Sequence, residues 1–149
     1  MEFCDELNVL LTKTYKNIHD MEEEKVRRNK HLQLSISELH LLEAVGDYSD
    51  AGGATITELA NDQGYTLPAI TIAINGLERK GYVCKIRDEA DKRSVRVRLT
   101  EQGRKINRVH QYIHKKLVRE VAKEFNEEEM EVLIRGLVKV NDFFTGLNK

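Results

Sequence analysis

Tryptophan is absent from this chain of 149 residues, proline occurs once, and aromatic residues make up only 6% of it. With 33% charged and 40% hydrophobic residues, the composition fits one small helical domain and argues against a second large one. The two cysteines, Cys4 and Cys84, show no paired spacing, which excludes a disulfide framework and a cysteine-based metal cluster. No apolar run approaches the ~18 residues of a membrane span. The start, Met1-Glu2-Phe3-Cys4-Asp5-Glu6, lacks the basic and apolar stretches of a secretory signal, so a cytoplasmic chain without membrane contact is expected. There is no Ser/His/Asp or Cys/His arrangement and no phosphate loop of the Walker type. Gly52-Gly53 reads as a bare loop, and an enzyme is not expected.

What is abundant is charge, unevenly placed. Between Leu77 and Arg119 stand 14 Lys/Arg against 5 Asp/Glu, net +9, while the rest of the chain holds 10 against 20, net -10. A cationic block between acidic flanks suits a surface facing phosphate, because neutralising phosphates releases condensed counterions. A basic helix merely bathed in water has the same charge, so the position of the block within the fold must decide.

Residues 3 to 28 carry Phe3, Leu7, Leu10, Leu11, Ile18, Met21 and Val26 at three- and four-residue intervals, the pattern of a long amphipathic helix. Ser35-Ile36-Ser37-Glu38 has the form of a capping box and opens a helix that buries Leu39, Leu42 and Val45 and stops near Gly46. A loop is expected from Asp47 to Gly53. Thr55-Ile56-Thr57-Glu58 repeats the box before a short helix ended by Gly64. Thr66 then caps another helix with Pro68 in its first turn, where a missing amide hydrogen costs nothing.

That helix turns Ile70, Ala73, Ile74 and Leu77 to one side. Its other side, Leu67, Pro68, Thr71, Ile72 and Asn75, has no long charged side chain before Arg79 and Lys80, a shape suited to close approach. Gly81 closes the helix. Tyr82 to Arg87 and Ser94 to Leu99 alternate like strands and form a hairpin with the polar tip Asp88-Glu89-Ala90-Asp91-Lys92-Arg93. Thr100 caps a helix reaching about Lys123, and Asn126 opens the last one, with Leu137, Phe143, Phe144 and Leu147 among its apolar residues.

Two capped helices joined by a tight turn and followed by a basic hairpin describe a winged helix-turn-helix, whose second helix enters the major groove while the wing reaches the adjoining minor groove. The fold class is therefore mainly α with a small β-hairpin wing. Residues 35–103 form the DNA-binding lobe, and 1–34 with 104–149 form a helical dimerisation region. In this order, Thr57-Glu58-Leu59-Ala60, Leu77-Glu78-Arg79-Lys80-Gly81-Tyr82-Val83, Asp91-Lys92-Arg93 and Leu99-Thr100-Glu101-Gln102-Gly103-Arg104 resemble the MarR family of transcriptional regulators over nearly the whole chain.

The resemblance implies a homodimer on a pseudo-palindromic site in double-stranded DNA. The long first helix and the Phe143/Phe144/Leu147 terminus point the same way, because they carry more apolar surface than one small domain can cover. Thr66, Thr71 and Asn75 can bond base edges or phosphate, and Leu67, Pro68 and Ile72 can meet thymine methyls. Arg79, Lys80 and Arg87 suit the phosphate backbone, and Lys92 and Arg93 the minor groove. By resemblance, Asp91 steadies the wing arginine. The chain departs from the family in carrying Lys85 where arginine is common, and Lys92 where a second wing arginine would stand.

The run Leu77 to Tyr82, Ile86-Arg87, Asp91-Lys92-Arg93 and Leu99-Thr100, followed by His110 and His114, is similar to MarR-type repressors of fatty-acid synthesis in Gram-positive bacteria. The implied co-repressor is a long-chain acyl group on acyl carrier protein. An acidic carrier would dock on Arg104, Lys105, Arg108, Lys115 and Lys116. The histidines support a rival, since His110 and His114 lie four apart on one helix and, joined by Glu22 and His40, could hold zinc as in zinc-responsive relatives. A plain hydrogen-bonded histidine network uses the same residues. Thiol sensing at Cys4 is disfavoured by the acidic neighbours Glu2, Asp5 and Glu6. A winged helix serving only protein contacts would be expected to lose its wing charges, whereas Arg87, Lys92, Arg93, Arg96 and Arg98 remain. The sequence thus describes a DNA-binding repressor, of fatty-acid synthesis genes by resemblance.

Overall fold

A computed structural model describes residues 2–29 and 32–147, so the outermost positions of the expected dimerisation segments, 1 and 148–149, lie outside it. The chain runs α1 (Glu2–Arg28), α2 (Ile36–Asp47), a short 3-10 turn (Ser49–Ala51), β1 (Ala54–Thr55), α3 (Ile56–Gln63), α4 (Leu67–Arg79), β2 (Val83–Arg87), β3 (Val95–Leu99), α5 (Glu101–Ala122) and α6 (Glu127–Leu147). It divides into two compact units, Met1–Asn107 and Arg108–Lys149. The first unit includes α1, and Val26 and Leu32 pack against the lobe's core. Among the described residues, no helix is long and apolar enough to cross a membrane.

Side-chain oxygens set most of the helix starts in the first unit. At Ser35 and Thr55 the hydroxyl accepts from the N3 amide, of Glu38 and Glu58 respectively, while that glutamate accepts from the cap's own N–H, so two orphan donors are satisfied at each end. Thr66 caps α4 by accepting from the Ala69 N–H at 3.3 Å, and Thr100 caps α5 by accepting from Gly103 at 3.1 Å. The end of α4 is a Schellman turn, in which Tyr82 N–H donates to the Leu77 carbonyl and Gly81 N–H to that of Glu78, both at 3.0 Å.

Among the described residues, the buried apolar side chains lie between Leu34 and Leu99. Leu42 and Val45 of α2, Leu59 of α3, Ile70, Ile74 and Leu77 of α4, and Val83, Val97 and Leu99 of the sheet form one core. Each such side chain taken from water stabilises the lobe by roughly 1.5–3 kcal/mol. α1 and α6, by contrast, bury no residue at all.

The wing differs from the expected hairpin. The stretch from Asp47 to Gly53 is not a plain loop, because it holds the 3-10 turn and leads into β1, which pairs antiparallel with β3 (Ala54 with Val97, Thr55 with Arg96). The sheet therefore has three strands in the order β1-β3-β2. A two-residue strand between glycines and a helix cap has no periodicity of its own, so only its partner reveals it. Gly53 sits at φ 114, and a Cβ there would meet the Val97 carbonyl oxygen at 2.7 Å. That close approach is what lets β1 lie against β3. At the other edge, Gly103 lets the start of α5 touch the chain entering β2, since its Cβ would fall 2.0 Å from the Tyr82 carbonyl oxygen.

Candidate nucleic-acid interface

Because Ile70, Ile74 and Leu77 anchor α4 in the core, the opposite face is driven outward by the helical period. Leu67, Pro68, Thr71 and Ile72 are exposed, Ile72 to 71%, and form a small apolar and hydroxyl-bearing ridge with no charge along it. The Thr71 hydroxyl donates to the Leu67 carbonyl at 2.8 Å, which commits its proton and leaves its oxygen an acceptor. Asn75 is half-buried, and its side-chain oxygen accepts a hydrogen bond from the Lys85 ammonium of β2. Lys85 also lies 3.8 Å from the Glu78 carboxylate. Thr66 is occupied in capping, so its role is first to fix the start of the ridge.

The expected backbone contacts separate into two kinds. Arg79, at the end of α4, and Arg87, at the end of β2, are exposed. Lys80 is not available in that way. Its ammonium donates to the Gln33 carbonyl at 2.8 Å and to Glu38 Oε2 at 2.7 Å, tying the end of α4 to the start of α2. Burial pulls the Glu38 carboxyl up, but the hydrogen bond from Lys80, the Ser35 N–H and the Lys80 charge outweigh it and hold that carboxyl below its ordinary value of 4.5. What engages Lys80 is this carboxylate, contributed from 42 residues away in the chain, and the pair clamps α4 to α2.

In the wing, Lys92 and Arg93 are exposed at the tip. Asp91 supports the tip through the backbone, accepting from the Arg93 N–H at 3.1 Å. The carboxylate that grips a wing guanidinium is Asp88, which accepts from Arg96 Nε at 3.1 Å and from the Ala90 N–H at 3.0 Å. The Ala90 N–H, then Arg96, hold the Asp88 carboxyl below its ordinary range. Arg96 also donates to the Gly53 carbonyl at 3.1 Å, and Arg98 Nε to the Gly52 carbonyl at 2.5 Å. Arg96 and Arg98 are thus struts that fasten the glycine turn to the wing, and the cations the wing presents outward are Arg87, Lys92 and Arg93. Lys85, Asp88, Arg96 and Arg98 were not assigned these roles from sequence. The strand period does place both arginines on one face of β3, but the glycine carbonyls they bond come from a segment more than 40 residues earlier.

Each unit holds a pair of the candidate effector residues. In the first unit, His40 and Glu22 approach to 3.4 Å, next to an open cleft lined by Tyr15, His19, Val26 and Arg27. In the second, the His110 and His114 rings meet edge to face with centroids 4.4 Å apart. Among the described residues, no three of His, Cys, Asp and Glu gather into a group that could hold a metal ion. Of the carrier-docking candidates, Arg104 donates to the Leu99 carbonyl at 3.1 Å, and Lys105, Arg108, Lys115 and Lys116 are exposed.

This chain is similar to two solved structures and to a curated regulator. FabT of Streptococcus pneumoniae, solved in complex with DNA, is 33% identical with a TM-score of 0.89, over 96% of this chain and 98% of that one. A MarR family protein from Bacillus stearothermophilus is 25% identical with a TM-score of 0.79, over 97% of this chain and 96% of its own. The HTH-type transcriptional regulator YhjH of Bacillus subtilis is 30% identical over 119 residues, 76% of this chain and 66% of its own length. The chain spans between 60% and 66% of the length of the curated relatives it matches. Residues 25–109, which hold the helix-turn-helix and the wing, match the family described as transcriptional regulator SarA/Rot, and this chain belongs to that family of MarR-type winged-helix transcriptional regulators.

Proposed function

We propose that the protein is a DNA-binding transcriptional repressor that acts as a homodimer in the cytoplasm. The observation that carries this reading is the pairing, within one lobe, of an uncharged outward ridge on α4 with outward cations on the wing. The ridge can lie against base edges without steric or charge conflict, while Arg79, Arg87, Lys92 and Arg93 meet phosphate or the minor groove. The likeness to FabT, a protein solved with DNA, supports it.

Dimerisation is supported by the helices that bury nothing. Phe3 is exposed to 86% and Phe143 to 63%, each on a helix with further exposed apolar residues, and surface of that kind is ordinarily covered by a second copy. Two lobes related by a two-fold axis would meet half-sites about 34 Å apart.

The regulated genes, in this reading, are those of fatty-acid synthesis, and long-chain acyl-acyl carrier protein is the co-repressor. The likeness to FabT and the resemblance carried by Leu77–Tyr82, Asp91-Lys92-Arg93, His110 and His114 support this. The test is operator affinity measured with acyl carrier protein and with zinc added separately. Tightening by the acylated carrier alone is the expected result. A response to zinc that is lost in His110→Ala would replace the lipid effector by the metal, and no binding to any duplex would end the reading.

A further inference from the structure

We propose that Lys85, on the first wing strand, is the residue that sets which bases Asn75 of the recognition helix accepts. The inference rests on the reading of α4 as the base-contacting helix. An asparagine side chain facing a base edge is ambiguous, because it offers both an acceptor and two donors. Used together, these read adenine, with the amide oxygen accepting from N6 and the amide nitrogen donating to N7. Here the ambiguity is removed from within the protein. A lysine ammonium can only donate, so the atom of Asn75 that faces it has to be the oxygen.

Two consequences follow from that single contact. The amide oxygen is turned toward β2 and held beside a positive charge, so a base N–H seeking the same oxygen would approach a cation. The second lone pair of that oxygen stays beside the cation, so the amide nitrogen, with its two N–H donors, is the group better suited to the groove. Asn75 therefore reads an acceptor edge without a donor, which is that of guanine or thymine, and disfavours adenine and cytosine. Glu78, 3.8 Å from the ammonium, helps hold it against α4 and keeps it from serving as a freely extended phosphate contact. Lys85 comes from β2 and Asn75 and Glu78 from α4, so base preference is coupled to the seating of the wing strand against the recognition helix.

The test is selection of operators from a pool of random duplexes by the full-length protein, comparing wild type with Asn75→Ala, Lys85→Met and Lys85→Arg. Asn75→Ala identifies the base position concerned, as the one whose preference it erases. At that position wild type should select guanine or thymine. Lys85→Met should shift relative affinity toward adenine by about tenfold, because the freed oxygen restores the two-bond pattern. Lys85→Arg, again a pure donor, should keep the wild-type choice, and neither Lys85 change should alter the salt slope by a full phosphate contact. Adenine at that position in wild type overturns the inference. So does a Lys85→Met variant that weakens all sequences equally while melting at the wild-type temperature, since Lys85 would then be a phosphate contact. A Lys85→Met variant that melts lower is judged by Lys85→Arg, where a changed base choice in a stable fold also overturns it. Binding of no duplex by wild type would instead overturn the DNA-binding reading on which the inference stands.

Discussion

At the scale of single residues, the cations of this chain divide by what their charge already meets. Arg93 is exposed at the wing tip and, among the described residues, its backbone N–H alone is held, by Asp91, so its guanidinium is available to a polyanion. Arg93→Ala should weaken binding to all duplexes and reduce the slope of log affinity against log salt by roughly one unit, as a titration over a range of salt would show. Lys80→Met should behave in the opposite way. Its ammonium is occupied by Glu38 and the Gln33 carbonyl, so the salt slope should stay as in wild type while the fold loses about 1 kcal/mol. The sign of the pH dependence follows from Glu38. Its carboxyl is held below 4.5 in the folded chain, so the stabilisation is fully present above 4.5 and is lost as pH falls through the lower folded value. Urea unfolding should accordingly show the gap between wild type and Lys80→Met closing as the pH drops below 4.5, and a gap that widens would place the charge elsewhere.

At the scale of elements, two close approaches decide how the lobe is assembled. Gly103 lets α5 press on the chain entering β2, and Gly53 lets β1 lie beside β3. A methyl group at Gly103 would fall 2.0 Å from a backbone oxygen, which cannot turn aside as a side chain can. Gly103→Ala should therefore lower the melting temperature, by a loss of about 1–3 kcal/mol, without removing any candidate DNA contact. Ser35→Ala, which deletes one half of the capping box on α2, should cost about 1 kcal/mol in the same measurement. The capping boxes were legible because the S/T-x-x-E spacing is local, and so were the buried face of α4 and the polarity of its outer ridge. β1 was not legible, since two residues carry no alternation. The struts Arg96 and Arg98 were hidden for a related reason, because their partners are carbonyls of a turn that sequence presents as an empty loop.

At the scale of the whole molecule, the winged lobe holds a core of its own, whereas the apolar residues from Phe3 to Ile18 on α1 and most of those on α6 are exposed among the described residues. If those faces are the dimer surface, a charge placed among them should separate the copies without unfolding the lobe. Phe143→Asp should shift the mass in solution from dimer to monomer. Operator affinity should then fall by orders of magnitude, because two half-sites would no longer be held by one body. A Phe143→Asp chain that stays dimeric and binds as wild type would place the interface elsewhere. The sequence by itself determined the capped helix starts, the inward and outward faces of α4 and the cationic block, since all of these depend on neighbours a few residues away. Only the tertiary structure decided which cations are free and which are spent on the fold. Lys80, Lys85, Arg96 and Arg98 look like Arg87 and Arg93 in a linear chain, and what separates them is a carboxylate or carbonyl brought close by folding.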